Sequence, residues 1–290
     1  MAAISEPASE TKAAGKPAVK PQRELIYRHT VVVRLTHWIN ALIVLVLLVS
    51  GLSLFNYHPA LYWGNYGYSG VPSFLSIAAL EDIETDEPVG VTSIMGHNFI
   101  TTGVLGVSYD AEGGPVTRAF PTWLTSPGGL AMARDLHFAA AWLLVFNGLV
   151  YLLFGLFTGH FRRDLLPAAA ELRPHHLLAD IWNHLRLRRT RGEAARRYNV
   201  LQKLAYVIVI FALLPLMVLT GLTMSPAVTA AMPLLFDMFG GRQSARTIHF
   251  LVTNLLALFV FVHLIQVIVT GVFNNLRSMI TGRYAILPED

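Results

Sequence analysis

Four of the eleven histidines in this chain, His37, His137, His249 and His263, lie inside stretches apolar enough to cross a membrane. An ionisable side chain at membrane depth is expensive, and there it is normally paired or functional. The sharpest spacing is in the last stretch, where His249 and His263 stand 14 residues apart. That is close to four helical turns, so both imidazoles leave the same helix face, about 21 Å apart along its axis. One helix thereby offers a nitrogen ligand to each of two stacked sites. Counted by depth from the ends of the stretches, His137 matches His249 and His37 matches His263. Paired neutral imidazoles facing each other across a bundle are the axial ligand set of a six-coordinate b-type haem. A single intramembrane histidine could instead hydrogen-bond a neighbouring helix; four at two matched depths point to the metal.

Three of these histidines follow an arginine by three residues: Arg34 before His37, Arg134 before His137 and Arg246 before His249. Residues i and i+3 share a helix face. Each guanidinium is therefore expected one turn closer to the membrane surface than its histidine, where a haem propionate would emerge and pair with it. Interfacial anchoring at helix ends is the competing expectation for all three. Gly51 follows His37 by 14 residues, at the depth of the His137/His249 site, and its missing side chain is expected to let a flat macrocycle approach. Gly148, Gly221 and Gly271 carry the same expectation with weaker reason. His29, His58, His97, His160, His175, His176 and His184 are read as loop or flank residues. The His175-His176 pair near His184 has no carboxylate or cysteine spacing that would make a metal cluster.

The elements that must position these residues follow from composition. The chain has 290 residues, 54% hydrophobic and only 14% charged, with no cysteine. A soluble domain carries about 25% charged residues, so a soluble fold is excluded. The absent cysteines exclude disulfides, iron–sulfur clusters, thioether-bound haem and thiolate zinc within this chain. Four stretches reach the roughly 20 apolar residues that a membrane-spanning helix requires: about 31–55, 131–157, 200–224 and 245–273. The expected fold is an all-α membrane protein, a bundle of four transmembrane helices with a long insertion, about 56–130, between the first two. Gly67, Pro72, Pro88, Gly113-Gly114-Pro115 and Pro121 break that insertion, so it is expected to be irregular, with short elements. Residues 1–24 are rich in Ala, Ser, Lys, Pro and Glu without an apolar run and are expected to be a disordered tail, with 25–290 forming the membrane domain. The first span is too long and too late for a cleavable signal and is expected to remain as an anchor.

Lys and Arg sort the loops. The N-terminal flank carries Lys12, Lys16, Lys20, Arg23, Arg28 and Arg34, and nine arginines lie between Arg162 and Arg197. Residues 56–130 carry Arg118 alone against seven acidic residues. The positive-inside rule then places both termini and the arginine-rich loop in the cytoplasm and the insertion on the outer face. The net charge of +4 is thus a topology signal, and no aromatic-interleaved basic patch indicates nucleic acid.

With these residues in place, the chain resembles the bacterial cytochrome b561-type membrane subunits, which include the b-type cytochromes of nickel–iron hydrogenases, formate dehydrogenase and thiosulfate reductase. The resemblance covers about residues 27–286. It rests on Arg34-Leu-Thr-His37-Trp38 and Arg134-Asp-Leu-His137-Phe138 opening the first two spans, on the His249/His263 pair, and on Asn275-Leu-Arg-Ser-Met-Ile-Thr-Gly-Arg283 beyond the last span. The insertion and Gly159-His160-Phe-Arg-Arg-Asp164 look like the thiosulfate-reductase-type or molybdoenzyme-associated branch. The resemblance implies a di-haem subunit of a bacterial inner membrane, in contact with membrane lipid, that wires a partner oxidoreductase to the quinone pool. The partner, a periplasmic molybdenum- or nickel-containing enzyme, would exchange electrons at the outer haem (His137/His249). Quinone would exchange them beside the inner haem (His37/His263).

Tyr198, Asn199, Gln202 and Lys203 cluster at the cytoplasmic start of the third span, at the depth where side chains could meet quinone carbonyls; interfacial anchoring explains them equally. The acidic run Glu81–Glu87 could dock a partner or simply be solvated. Two other functions stay open at this point. One is a stand-alone quinone-linked enzyme, such as one exchanging electrons with superoxide. The other is a haem-free transporter or anchor, although the chain lacks the internal repeats and broken helices many transporters carry.

Overall fold

The computed structural model describes residues 24–68, 70–185 and 199–286. The expected N-terminal tail, apart from Glu24, lies outside the described residues, and so do Tyr198 and much of the arginine-rich loop. Four helices are long and apolar enough to cross a membrane, at 2.0 to 2.5 mean hydropathy over their most apolar windows.

Helix α1 (Val31–Asn56) starts where the Thr30 hydroxyl accepts a hydrogen bond from the amide of Val33, an N-cap that satisfies one orphan donor of the first turn. Helix α2 spans Gly129–Thr158, followed by the short α3 (Pro174–Leu185). The third span is composite: α4 (Val200–Ile208), a wide π turn over Val209–Leu213, and α5 (Leu214–Thr223). Pro215 explains the widening, because it has no N–H to donate and its ring displaces the carbonyl four residues earlier. Two short helices, α6 (Pro226–Ala231) and α7 (Pro233–Met238), lead to α8 (Arg242–Thr281). At 40 residues α8 exceeds what a membrane needs. It breaks at Gly271, whose φ of 115° and ψ of 89° lie outside helical space; only glycine adopts such angles without strain.

The helical expectation holds for the spans, but the chain is not all-α. Between α1 and α2, strands β2 (Ala60–Leu61), β3 (Leu75–Glu81), β4 (Pro88–Ile94) and β5 (His97–Ile100) form an antiparallel sheet in the order β2-β3-β4-β5. A hairpin of β6 (Gly106–Tyr109) and β7 (Pro115–Arg118) packs beside it. Of the glycines and prolines that suggested irregularity, Gly113 and Gly114 make the β6–β7 turn, Gly67 and Pro72 lie in the β2–β3 connection, and Pro88 and Pro115 open β4 and β7. Met95 and Gly96, both at positive φ, make the tight turn between β4 and β5, a conformation matched to the twist of paired strands. A small core of Phe55, Leu61, Ile77 and Ala119 fastens this sheet to the end of α1.

At the opposite end of the bundle, β1 (Glu24–Tyr27) pairs antiparallel with β8 (Arg283–Ile286), clasping the start of α1 to the end of α8. The Asn274 side chain holds the clasp by hydrogen bonds to both the carbonyl and the amide of Ala285. The bundle thus has a sheet end and a clasp end. Helices pack most closely as two pairs, α1 with α2 and α5 with α8, while α1 and α8 touch at few residues. Large apolar side chains cover the outer surfaces, among them Leu42, Phe146, Phe157, Phe261 and Phe273, as expected where hydrocarbon replaces water.

The sheet joins the two pairs. Thr247 on α8 donates to the carbonyl of Tyr62 at 2.6 Å, and the amide of Gly64 donates to the Ser244 hydroxyl at 2.7 Å. Asn56 at the end of α1 exchanges two hydrogen bonds with the backbone of Phe120.

Candidate functional site

The four intramembrane histidines form two pairs, one near each end of the bundle. At the sheet end, His137 of α2 faces His249 of α8, with ring centres 6.3 Å apart and planes at 61°. At the clasp end, His37 of α1 faces His263 of α8, again at 6.3 Å, with planes at 57°. A metal-bound imidazole nitrogen lies about 2 Å from its ion, so two imidazoles on opposite sides of one ion have centres about 6 Å apart. Both pairs have that separation. Among the described residues no group of three or more His, Cys, Asp or Glu surrounds a common point. Two axial nitrogens with no further protein ligand suit a metal whose equatorial positions are filled by its own macrocycle.

The sheet-end pair also has its protons placed. Ser50 on α1 donates to the carbonyl of Val46 at 2.6 Å, and its oxygen lies 3.0 Å from His137 Nδ1. Thr220 on α5 donates to the carbonyl of Leu216 at 2.7 Å, with its oxygen 3.0 Å from His249 Nδ1. A hydroxyl has one proton; with that proton committed to a carbonyl, the oxygen must accept from Nδ1–H. The lone pair of each imidazole is therefore on Nε2, the arrangement that an outer hydrogen bond imposes on metal-ligating histidines. At the clasp end His37 Nδ1 is buried without a hydrogen-bond partner. Trp38 meets the His37 ring edge-on at 5.3 Å, and Phe259 stacks against His263 at 5.9 Å. Asn147 of α2 donates to the carbonyl of Thr36 at 2.9 Å and to Asn40 Oδ1 at 2.7 Å, which fixes the turn of α1 that carries His37.

Residues 28–282 match the family model described as prokaryotic cytochrome b561. The chain belongs to that family. It is therefore a multi-pass membrane protein of a b-type haem, electron-transporting group. A curated relative is YedZ1 of Azospira oryzae, a subunit assigned to a protein-methionine-sulfoxide reductase. It is 33% identical over 162 residues, which cover 56% of this chain and 77% of the relative. No solved structure matches the chain.

The arginines of this cytochrome divide. Arg34 donates from Nη1 to the carbonyl of Ile280 at the end of α8, yet its Nε is buried without an acceptor; that spare donor suits a carboxylate. Arg134 is exposed beside Asp135, 3.8 Å from its carboxylate. Arg246 donates to the carbonyls of Ala60 and His58 and lies over the ring of Phe55, so it fastens the sheet to α8. Burial, followed by the charge of Arg246, holds the His58 imidazole below its ordinary pKa.

The missing Cβ of Gly51 makes room for an imidazole. A Cβ there would stand 3.3 Å from His137 Cε1, and one at Gly221 would stand 3.5 Å from His249 Cε1. Gly148 faces open space, and Gly271 is the break in α8. Asn199 and Gln202 form a reciprocal capping box at the start of α4. Lys203, nearly buried, is paired with both carboxylate oxygens of Glu171 at 2.8 and 2.9 Å. These contacts give the three residues structural roles at the clasp end. His160, read as a loop residue, has Nδ1 2.6 Å from Asp164 Oδ2 and its ring among Tyr151, Phe154 and Phe161.

Sequence reasoning missed Ser50, Thr220 and Asn147. A signal for the first two was present: Ser50-Gly51-Leu52-Ser53 and Thr220-Gly221-Leu222-Thr223 are the same pattern at the ends of two spans.

Proposed function

We propose that this chain is a di-haem b-type subunit that carries electrons across the bacterial inner membrane between a periplasmic, molybdenum-containing oxidoreductase and the quinone pool. The observation that carries this reading is the pair of matched imidazole couples, drawn from three helices and separated along one helix by nearly four turns. His137 and His249 would hold one haem, and His37 and His263 the other. When bound, b-type haem supplies reversible one-electron chemistry. Arg34 supplies the spare buried donor for a propionate carboxylate at the clasp end.

The distribution of Lys and Arg supports a cytoplasmic clasp end and a periplasmic sheet end. The partner would then dock on the sheet and its acidic tip, Glu81 to Glu87, close to His137 and His249. Quinone would meet the clasp end, beside His37 and His263. The name of the Azospira oryzae relative, a reductase subunit, supports the assignment to a partner enzyme over a stand-alone one, and the family resemblance supports molybdenum.

A visible spectrum and haem quantification of the protein purified from its native membrane test the reading. Two b-type haems per chain and a stoichiometric molybdenum protein are expected. A single haem would remove the transmembrane relay, and a haem-loaded chain isolated without any partner would favour the stand-alone enzyme.

A further inference from the structure

The two imidazoles at the sheet end sit in matching seats on different helices. Ser50-Gly51-Leu52-Ser53 of α1 receives His137, and Thr220-Gly221-Leu222-Thr223 of α5 receives His249. In each seat the first hydroxyl, fully buried, lies 3.0 Å from the imidazole's Nδ1, and the glycine lies against the ring. The second hydroxyl donates to its own helix, Ser53 to the carbonyl of Val49 at 3.1 Å and Thr223 to that of Leu219 at 2.8 Å, and Ser53 also accepts from the amide of Ser126 at 2.7 Å. The clasp end has no such seat for its described ligands. His37 Nδ1 is buried without a partner, and His263 lies against the ring of Phe259.

We propose that Ser50 and Thr220 are positioning residues that make the two haem centres unequal, so that the sheet-end centre holds its oxidised state more tightly than the clasp-end centre. The proposal rests on the two-haem reading above. Each hydroxyl accepts the Nδ1 proton of an axial imidazole, which draws that ring toward imidazolate and increases its basicity at Nε2. Two stronger axial donors favour the ferric over the ferrous ion and lower the reduction potential, for which hydrogen bonding around the ligands is a recognised lever. The seats act on one centre because both hydroxyls lie at one depth. Transfer from the sheet-end centre to the clasp-end centre is then downhill, and transfer the other way is uphill. An apolar residue in place of each hydroxyl removes that acceptor and leaves the backbone carbonyls of Leu47 and Met217 beside the two rings, so hydroxyl chemistry and side-chain size can be separated.

The test is a redox titration followed optically and by electron paramagnetic resonance on the purified full chain with its haems. It compares Ser50→Ala and Thr220→Val with the conservative Ser50→Thr and Thr220→Ser. The apolar variants are expected to raise the lower of the two midpoint potentials and shift one low-spin signal, leaving the other potential and signal in place. The conservative variants are expected to titrate like the unaltered protein. Loss of the low-potential haem alone from Thr220→Val, with Thr220→Ser retaining it, also supports the seat. Unchanged potentials in both apolar variants, equal shifts of both haems, or conservative variants that behave like the apolar ones each overturn the proposal. A single haem in the unaltered protein overturns the two-haem reading itself, and with it this inference, before any variant is compared.

Discussion

His37 and His263, from the first and last spanning helices, meet with ring centres 6.3 Å apart, although α1 and α8 touch each other at few residues. That separation suits one ion between them. His263→Ala is expected to lower the haem content to about half, with the remaining haem keeping the spectrum of the sheet-end pair. Haem extraction and a reduced-minus-oxidised spectrum measure this; retention of both haems would mean that the pairing is wrong.

Gly51 and Gly221 differ in tolerance. A Cβ at Gly221 makes ordinary contact with His249 at 3.5 Å, whereas one at Gly51 presses on His137 at 3.3 Å. Gly221→Ala should leave both haem spectra unchanged. Gly51→Val, with two further carbons, should displace His137 and abolish one haem signal selectively.

Asn147 is buried and joins α2 to the His37 turn of α1 through Thr36 and Asn40. Asn147→Leu leaves Asn40 without this partner at membrane depth, with an expected cost of about 1–3 kcal/mol. Thermal unfolding in detergent should show the loss, and the haem at His37/His263 should be released first.

Asn199 caps α4, and its replacement by alanine should cost about 1 kcal/mol of stability. Because the side-chain oxygens of Asn199 and Gln202 are both used in the cap, quinone kinetics should be unaffected. A raised KM for quinol in Asn199→Ala would instead restore the residue to the quinone site.

His29, just before α1, has its pKa lowered to about 4, first by burial and then by the charge of Arg28. Unfolded, it would titrate near 6.5. The unfolded state therefore takes up a proton that the folded state refuses as pH falls from about 6.5 to about 4, so stability declines across that window. The melting temperature of the unaltered protein should fall over this range, and His29→Gln should flatten the fall.

Much of the bundle was legible because a membrane simplifies the code. The spans at 31–55 and 131–157 agree with α1 and α2 to within two residues, since backbone groups in hydrocarbon must be satisfied by long helices. The insertion was harder. Its glycines and prolines read as breaks, but several are the turns of a sheet whose register depends on pairings between β3 and β4. The roles of the arginines were also hidden. Arg34, Arg134 and Arg246 share one spacing to a histidine, yet one has a spare buried donor, one is exposed and one grips a loop.

The sequence by itself determined the membrane class and the four spans, because length and hydropathy are local properties of a helix. Only the tertiary structure decided which nitrogen of His137 and of His249 meets a hydroxyl. That depends on Ser50 reaching His137 and Thr220 reaching His249 across helix interfaces, and a hydrogen bond between helices has no spacing to read along one chain.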